Sequence, residues 1–316
     1  MLSISPFIRD GKVLFTSLPL ISRAFLTEFF GKDSGLDSLP FVIEKKQLES
    51  IDPLILTRNT LTYLGAGYPI DPKLTGCLIA SLQAFWKSNF DKSYFIDIGA
   101  HDGSVSDGYM LALNHLNHSN LLPKICLVEI SEVMCSKLCK KYSNESCFKV
   151  ILVNKGIKKQ SGIMKRYREG NSSEEIYSKL TELKESENGL DNNIQCIRAD
   201  QLHEQVLKSY GNPTAVRVQV NGGEYEAISS FGDLISDIEI LSFTQAAFGF
   251  KYLDFTQIHD FLSAKNFVVL RLTPLGFYLL EKPEYVDNKI PFVSNYIAIR
   301  NDLYLKYILP RTISQV

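Results

Sequence analysis

The stretch that decides the fold reads Phe95–Ile96–Asp97–Ile98–Gly99–Ala100–His101–Asp102–Gly103. Its first four residues continue an apolar run that begins at Tyr94, which predicts a short buried strand. Gly99 and Gly103 allow a tight turn in which the backbone can closely approach a ligand. A helix-like stretch over 104–116 follows, and the first turn of a helix offers free N–H groups. The stretch therefore predicts a strand, a binding loop and a helix in succession.

The alternation of strands and helices continues along the chain. Further strands are predicted over 124–128, 148–153, 215–220, 238–243 and 267–272, and helices over 131–142, 223–231 and 254–264. Near-continuous apolar strands separated by helices predict a mostly parallel sheet that is covered on both faces. Residues 278–280 and 296–299 are expected to form a closing antiparallel pair. In such α/β folds, ligands bind beyond the carboxyl ends of the strands.

Composition excludes several classes of protein. The chain has 316 residues, of which 45% are hydrophobic, and a formal net charge of −1. It is too apolar for a disordered chain, and its charge balance gives no electrostatic case for binding nucleic acid. No stretch reaches the roughly 18–20 uncharged apolar residues of a spanning helix, so no membrane span is expected. Six dispersed cysteines suit reduced thiols, which favours a cytoplasmic protein, and no ligand set predicts a metal site.

The chain divides into two predicted regions. Residues 1–90 hold six of the twelve prolines and are expected to form a mainly helical cap or a region of homo-oligomerisation. Amphipathic helices are predicted there over 20–31 and 74–90. Residues 91–316 are expected to form the α/β domain, with a polar surface insertion near 171–193. A helix over 173–184 is predicted inside that insertion.

Acidic residues at the strand ends indicate the kind of ligand. The loop lacks the Gly-Lys-Ser/Thr of a P-loop and the third glycine of a dinucleotide site. Asp97 and Asp102 would repel a pyrophosphate but suit the ammonium group of an amino acid. Glu129, which ends the second strand, is placed to accept hydrogen bonds from both hydroxyls of a ribose. Together they favour S-adenosylmethionine over NAD; an NAD-type oxidoreductase and a turn without any ligand are the alternatives.

The sequence from about residue 94 to residue 300, which contains this loop and Glu129, resembles the FkbM-type family of S-adenosylmethionine-dependent O-methyltransferases. The other shared stretches are Val128–Glu129, 153–157 and 216–228. The resemblance implies a class I methyltransferase fold, a Rossmann-like three-layer sandwich with a seven-stranded, mostly parallel sheet whose last strand is antiparallel. It also implies transfer of a methyl group to a hydroxyl of a sugar, glycan or secondary metabolite, so the expected partner is a small-molecule or glycan acceptor.

The resemblance also implies a set of cofactor-binding residues. Asp97, Gly99 and Gly103 would surround the methionine part of the cofactor, and Ala100 and Asp102 belong to the same loop. Asp102 has a second interpretation, as a cap of the helix that starts at Ser104. The remaining contacts would come from Glu129 at the ribose and from Asn154 near the adenine, while Asp200 matches a family acid of structural role.

The chain departs from the family where the methyl group would be transferred. The family reads Lys-Ile-Asp-Val-Glu-Gly-x-Glu at the end of the fourth strand, and this chain replaces the first two acids of that motif with Gln219 and Asn221. The fifth strand ends Thr244–Gln245, where the family usually shows a glutamate. Gln219, Asn221 and Gln245 therefore become candidate substrate-binding residues, because an amide can orient a substrate but cannot accept its proton.

Two interpretations stay open. In the first, the chain is an active enzyme that uses another base or acts on an acceptor that needs none. His101 is then the first candidate base, since histidine exchanges protons near neutral pH, and Glu224 is a second candidate catalytic residue that could contact the substrate. A structural role is the alternative for each: His101 bonding a nearby carboxylate, and Glu224 a charge that suits a helix N-terminus. In the second interpretation, the domain is a catalytically inactive methyltransferase-like domain that acts as a binding or scaffold protein.

Overall fold

The structure is a computed structural model that describes residues 3–9, 12–18, 72–116, 122–168, 178–182, 193–220, 222–246, 255–273, 276–280 and 293–311. Its helices are α1 (Pro72–Phe85), α2 (Ser104–His115), α3 (Glu132–Tyr142), α4 (Ala199–Leu202), α5 (Glu224–Ser229), α6 (Phe255–Ala264) and α7 (Asn301–Leu303). Tighter or wider helical turns extend α4 to Tyr210 and α7 to Arg311.

The strands alternate with these helices along the chain. They are β1 (Ser3–Arg9), β2 (Lys12–Leu18), β3 (Ser93–Ile98), β4 (Lys124–Val128), β5 (Lys149–Val153), β6 (Gly156–Ile157), β7 (Gly162–Arg168), β8 (Ser178–Glu182), β9 (Asn193–Ile197), β10 (Asn212–Val218), β11 (Ile240–Ala246), β12 (Phe267–Thr273), β13 (Gly276–Leu279) and β14 (Val293–Arg300). Each central strand reads as a short apolar run, as expected for strands that are buried on both faces.

The larger sheet has the order β2-β1-β13-β12-β14-β11-β10-β3-β4-β5. From β5 to β11 every pairing is parallel, whereas β14 runs antiparallel to both of its neighbours, β11 and β12. The seven strands from β5 to β12 therefore form the predicted sheet, mostly parallel with an antiparallel last strand, and this prediction is confirmed. Because the chain runs outward on either side of β3 and β10, the point where strand order reverses lies between these two strands, where such sheets bind ligands.

Helices cover both faces of this sheet. On one face, α1 and α2 pack against alternate strand residues, and the ring of Tyr109 stacks on that of Phe95 with centroids 4.5 Å apart. On the other face, α6 and the segment around α4 and α5 cover residues such as Val216 and Phe243. Burying one such side chain fully contributes about 1.5–3 kcal/mol, so the two apolar layers hold the sheet in place. The molecule is thus a three-layer α/β/α sandwich.

Helix α1 joins this core directly. The Gln83 side chain donates from Nε2 to Thr214 Oγ1 of β10 at 2.9 Å and accepts from Tyr109 Oη at 2.8 Å. The helix confirms the prediction over 74–90, except that it ends at Phe85. The division of the chain at residue 90 stays a prediction, and the helix expected over 20–31 lies outside the described residues.

The N-terminal residues contribute strands to the sheet, although a mainly helical region was expected there. β1 pairs antiparallel with β2, from Ser3 opposite Leu18 to Arg9 opposite Lys12, and parallel with β13. The sequence between Arg9 and Lys12 is Asp10–Gly11, a residue pair typical of two-residue hairpin loops. This local signal favours a hairpin over a helix.

Two predictions about individual elements are wrong. Residues 178–182 of the predicted helix over 173–184 form β8, which pairs with β7 in a second sheet of order β6-β9-β7-β8. Pairing with a neighbouring strand overrides the weak helical preference of such a short polar segment. The expected pair of 278–280 with 296–299 does not form either. Instead β13 pairs with β12, from which two residues separate it, and β14 lies between β11 and β12.

No helix among the described residues is long and apolar enough to cross a membrane.

Candidate functional site

Three predicted site elements meet at the carboxyl ends of neighbouring strands. The loop 99–103 follows β3, Glu129 follows β4, and Asn154 follows β5. The loop turns sharply, with positive φ angles of 79° at Gly99, 50° at His101 and 78° at Gly103. Because β3, β4 and β5 are parallel neighbours, the fold brings these residues to one edge of the sheet.

Glu129 connects the three strand ends to one another. Its Oε2 accepts a hydrogen bond from the backbone N–H of His101 at 2.9 Å, and its Oε1 accepts one from Ser131 at 2.9 Å. Asn154 in turn donates from Nδ2 to the Glu129 carbonyl at 2.9 Å. The Glu129 carboxylate therefore holds the backbone N–H of His101, the residue with the left-handed conformation. Each carboxylate oxygen has two lone pairs, so both can accept another hydrogen bond from a ligand.

Asp97 lies beneath the loop and is completely buried. The carboxylate accepts hydrogen bonds from Ser106 Oγ and from Arg217 Nη1, each at 3.0 Å. Burial raises the pKa of Asp97, while the charge of Arg217 and these two hydrogen bonds oppose the rise. The side chain supports the loop from below, and its predicted contact with a cofactor stays a prediction.

Arg217 is a site residue that the sequence analysis did not identify. It is buried in β10, where the strand register places it directly opposite Asp97 in β3. Its Nη1 also donates to the Gly99 carbonyl at 2.6 Å, and its Nη2 donates to Gln219 Oε1. The sequence could have indicated this pair. Each of the two apolar strands contains one charged residue, and buried charges require partners.

Glycine at position 99 is explained by packing against β10. A Cβ atom there would lie 2.0 Å from the Gln219 carbonyl oxygen, and the φ of +79° disfavours any L side chain. The Gln219 backbone N–H also donates to the Ile98 carbonyl at 2.9 Å. The loop after β3 and the end of β10 are therefore in direct backbone contact.

The end of α3 clamps the far side of the loop. Tyr142 Oη lies 3.0 Å from the Gly103 carbonyl and 2.8 Å from Asp107 Oδ1, and can donate to either. Lys141 Nζ donates to the Asp102 carbonyl at 2.7 Å and to Asp107 Oδ2 at 2.6 Å. A helix of one βα unit thus fixes the loop of the preceding unit.

Asp102 lies in the loop two residues before α2 begins. Its Oδ1 accepts from the backbone N–H of Ser104 at 3.0 Å, so it satisfies the first free N–H group of the helix from the position before the N-cap residue Gly103. Burial alone would raise the pKa of Asp102, but the Ser104 hydrogen bonds and the charges of His101 and Lys141 lower it overall. This geometry supports the capping interpretation.

The two candidate catalytic residues differ in whether their side chains already have hydrogen-bond partners. His101 is half exposed, and its Nδ1 lies 3.9 Å from Asp102 Oδ1, too far for a direct hydrogen bond. Glu224 is buried at the start of α5, where Oε1 accepts from the Val220 N–H at 3.1 Å and Oε2 from the Gly222 N–H at 2.8 Å. Glu224 therefore closes the turn after β10, which supports its structural interpretation.

Neutral groups line the ends of β10 and β11. Gln219 is half-buried beside Arg217, and Thr244 is buried with its Oγ1 donating to Asn295 Oδ1 at 2.8 Å. Gln245 lies one residue further along β11, opposite Ser294 of β14. Asn221 lies outside the described residues. Within the described part of the chain, no three His, Cys, Asp or Glu side chains are grouped to hold a metal ion.

Comparison with solved structures finds methyltransferases. The methyltransferase FkbM from Methylobacillus flagellatus KT is 12% identical, with a TM-score of 0.44, over 87% of this chain and 57% of that one. The CurJ carbon methyltransferase is 14% identical, with a TM-score of 0.37, over 89% of this chain and 68% of that one. The precorrin-6y C5,15-methyltransferase from Geobacter metallireducens GS-15 is 14% identical, with a TM-score of 0.34, over 70% of this chain and 87% of that one.

The chain spans little more than half the length of the first of these structures. Identity and TM-score are low in all three, so the strand order, and not these likenesses, carries the conclusion about the fold. The sequence matches no protein-family model and no curated protein.

Proposed function

We propose that this chain is an S-adenosylmethionine-dependent O-methyltransferase of the FkbM type. The observation that carries the proposal is the arrangement around Glu129, which joins the loop 99–103 to the strand end that bears Asn154. The acceptor would be a small molecule or glycan that offers a hydroxyl of a sugar or secondary metabolite.

The residues present fit the cofactor in the order in which the strands lie. Asn154, Glu129 and the loop 99–103 follow β5, β4 and β3, which are successive neighbours in the sheet. A cofactor with its adenine at Asn154 and its ribose at Glu129 would extend its amino-acid end toward the loop and β10. Glu129 suits the ribose because its oxygens accept from two N–H groups and can still accept from hydroxyl donors.

Catalysis also requires a group that accepts the proton of the substrate hydroxyl. S-adenosylmethionine supplies an electrophilic methyl group when bound, and an attacking hydroxyl must lose its proton to an acceptor. Of the two candidate catalytic residues, Glu224 already accepts from two backbone N–H groups, whereas the side chain of His101 is half exposed. We propose His101 as the proton acceptor.

The second candidate function is a non-catalytic domain that binds the cofactor or a protein partner. It is favoured by Gln219, whose amide stands where the family carries an acid and whose oxygen already accepts from Arg217. That side chain cannot take a proton from a substrate. The two candidates share the fold and differ in turnover.

Calorimetry with S-adenosylmethionine and S-adenosylhomocysteine tests the cofactor site. We expect both to bind, and Glu129→Gln to weaken binding about tenfold to a hundredfold through loss of a charged hydrogen-bond acceptor. Glu132→Gln is the matched control, because Glu132 is exposed on α3 only three residues away. Failure of both ligands to bind would refute the proposal, and an unchanged affinity in Glu129→Gln would refute the site.

Turnover separates the two candidates. Formation of S-adenosylhomocysteine is measured against a panel of sugars, glycans and phenolic metabolites, and His101→Asn should lower the rate about 10²–10⁴-fold. Cofactor binding without turnover on any acceptor supports the non-catalytic candidate. The double variant Gln219→Asp, Asn221→Glu, which restores the family acids, is then tested for a gain of activity.

A further inference from the structure

Arg217 fixes the orientation of the Gln219 side chain. An arginine guanidinium has only donors, so the atom of the Gln219 amide that faces it must be the oxygen. Arg217 cannot turn away to release it, because its Nη1 is held by Asp97 and by the Gly99 carbonyl. The Gln219 amide therefore directs its NH₂ group away from Arg217, and this group donates to no residue that the structure describes.

This NH₂ group lies beside the glycine loop. The Gln219 backbone donates to Ile98, and its carbonyl occupies the space in front of Gly99. Gln219 is half-buried, so its side chain is neither sealed inside the core nor fully solvated. The donor thus stands at the end of the site where the proposed function places the amino-acid end of the cofactor.

The chemistry of that end leaves one partner for such a donor. S-adenosylmethionine carries an ammonium, a sulfonium and a carboxylate there, and only the carboxylate accepts hydrogen bonds. An acid at position 219 would instead attract the two cations. We infer that Gln219, oriented by Arg217, donates to the carboxylate of the cofactor's amino-acid end. This inference rests on the proposed function and assigns Gln219 to the cofactor, although the sequence analysis assigned it to the substrate.

The test compares two cofactors that differ only in the carboxylate, S-adenosylmethionine and decarboxylated S-adenosylmethionine, by calorimetry on the full chain. Gln219→Glu keeps the side-chain shape but replaces the NH₂ donors with an anionic oxygen. We expect it to weaken S-adenosylmethionine about tenfold to a hundredfold, and to leave the decarboxylated compound unchanged or bound more tightly. Gln205→Glu, at an exposed position beyond α4, makes the same charge change away from the site.

Two further variants keep the test decisive. Gln219→Met removes the donors without adding charge, and covers the case in which Gln219→Glu fails to fold; it should also weaken S-adenosylmethionine selectively. Arg217→Lys keeps the positive charge but loses the guanidinium fork, so it should reduce the discrimination between the two ligands. A purely structural role for Arg217 would lower stability and affect both ligands equally.

The outcomes are separable. Equal effects of Gln219→Glu and Gln219→Met on both ligands, or no effect on either, would overturn the inference while leaving the cofactor site intact. If wild-type protein binds neither compound, the proposed function fails, and the inference fails with it.

Discussion

The ends of β3 and β4 differ in chemistry from the ends of β10 and β11, although all four strands point to the same edge of the sheet. At the first pair, the two acids that the resemblance implied are present and engaged, Asp97 below the loop and Glu129 beside it. At the second pair, the side chains are the neutral Gln219 and Thr244. The first half of the site, at the ends of β3 and β4, keeps the acids that the resemblance implied, and the second half, at the ends of β10 and β11, does not.

The two halves are nevertheless joined through Arg217. It pairs with an acid from one half and an amide from the other, and it also holds the Gly99 carbonyl. A change of acid to amide at position 219 therefore alters what a ligand meets without removing the partner of the buried arginine. This explains how the second half can lose charge while the first half keeps its geometry.

The largest effect is expected where the halves touch through backbone. Gly99→Ala places a Cβ 2.0 Å from the Gln219 carbonyl at a φ of +79°, and neither backbone can move aside easily. We expect a loss of more than about 4 kcal/mol in the free energy of unfolding, measured by urea denaturation. Gly223→Ala is the control, since its nearest neighbour would be a Val220 methyl group at 3.4 Å. Similar losses in both variants would contradict the close contact.

The next effect comes from the buried ion pair that spans the halves. Arg217→Met leaves Asp97 without its charged partner at a completely buried position, which should cost about 3–5 kcal/mol. The double variant Asp97→Leu, Arg217→Met removes both charges and should recover much of that loss. Urea unfolding of the singles and the double gives the coupling energy. Strictly additive losses would show that the two side chains do not interact.

A smaller effect is expected from the clamp on the first half alone. Tyr142→Phe removes the hydroxyl that can donate to the Gly103 carbonyl or to Asp107, and should cost about 1–2 kcal/mol in stability. Affinity for S-adenosylhomocysteine should fall a few-fold, because the loop is held less firmly. Tyr225→Phe on α5 provides a comparable loss of a hydroxyl in the second half. A larger effect on affinity from Tyr225→Phe than from Tyr142→Phe would contradict this role of the Tyr142 hydroxyl.

The smallest effect is expected at the other end of the parallel strands, where Tyr94 is the second residue of β3. His203 Nδ1 is 3.0 Å from Tyr94 Oη, and burial lowers the pKa of His203, while Glu204 and Asp237 partly oppose this. Since the unfolded chain then takes up a proton more readily, stability should fall as pH drops below about 6.5. His203→Gln should reduce this fall by less than about 1 kcal/mol, measured by urea unfolding at several pH values. A steeper fall of stability with decreasing pH in His203→Gln would contradict the lowered pKa of His203.

Local patterns predicted the central strands well and the sheet edges poorly. β3 and β4 are continuous apolar runs that end at a glycine or an acid, so position and type could be read from the sequence. The edge strand β8 has no such pattern, because its place depends on β7, and the position of β14 between β11 and β12 depends on the whole sheet. The site shows the same division. The loop and Glu129 follow from local sequence, whereas the role of Arg217 depends on a strand register across 120 residues.

The separation of Asp97 from Arg217 also has a consequence for how the chain is made. A ribosome adds about 5–20 residues per second, so the 120 residues between the two charges correspond to roughly 6–24 s of synthesis. During that interval β3, β4 and β5 have left the ribosome, but β3 lacks its neighbour β10 and Asp97 lacks its counter-charge. The nascent segment must therefore keep this carboxylate in water, and the loop 99–103 can reach its final form only after β10 has been made.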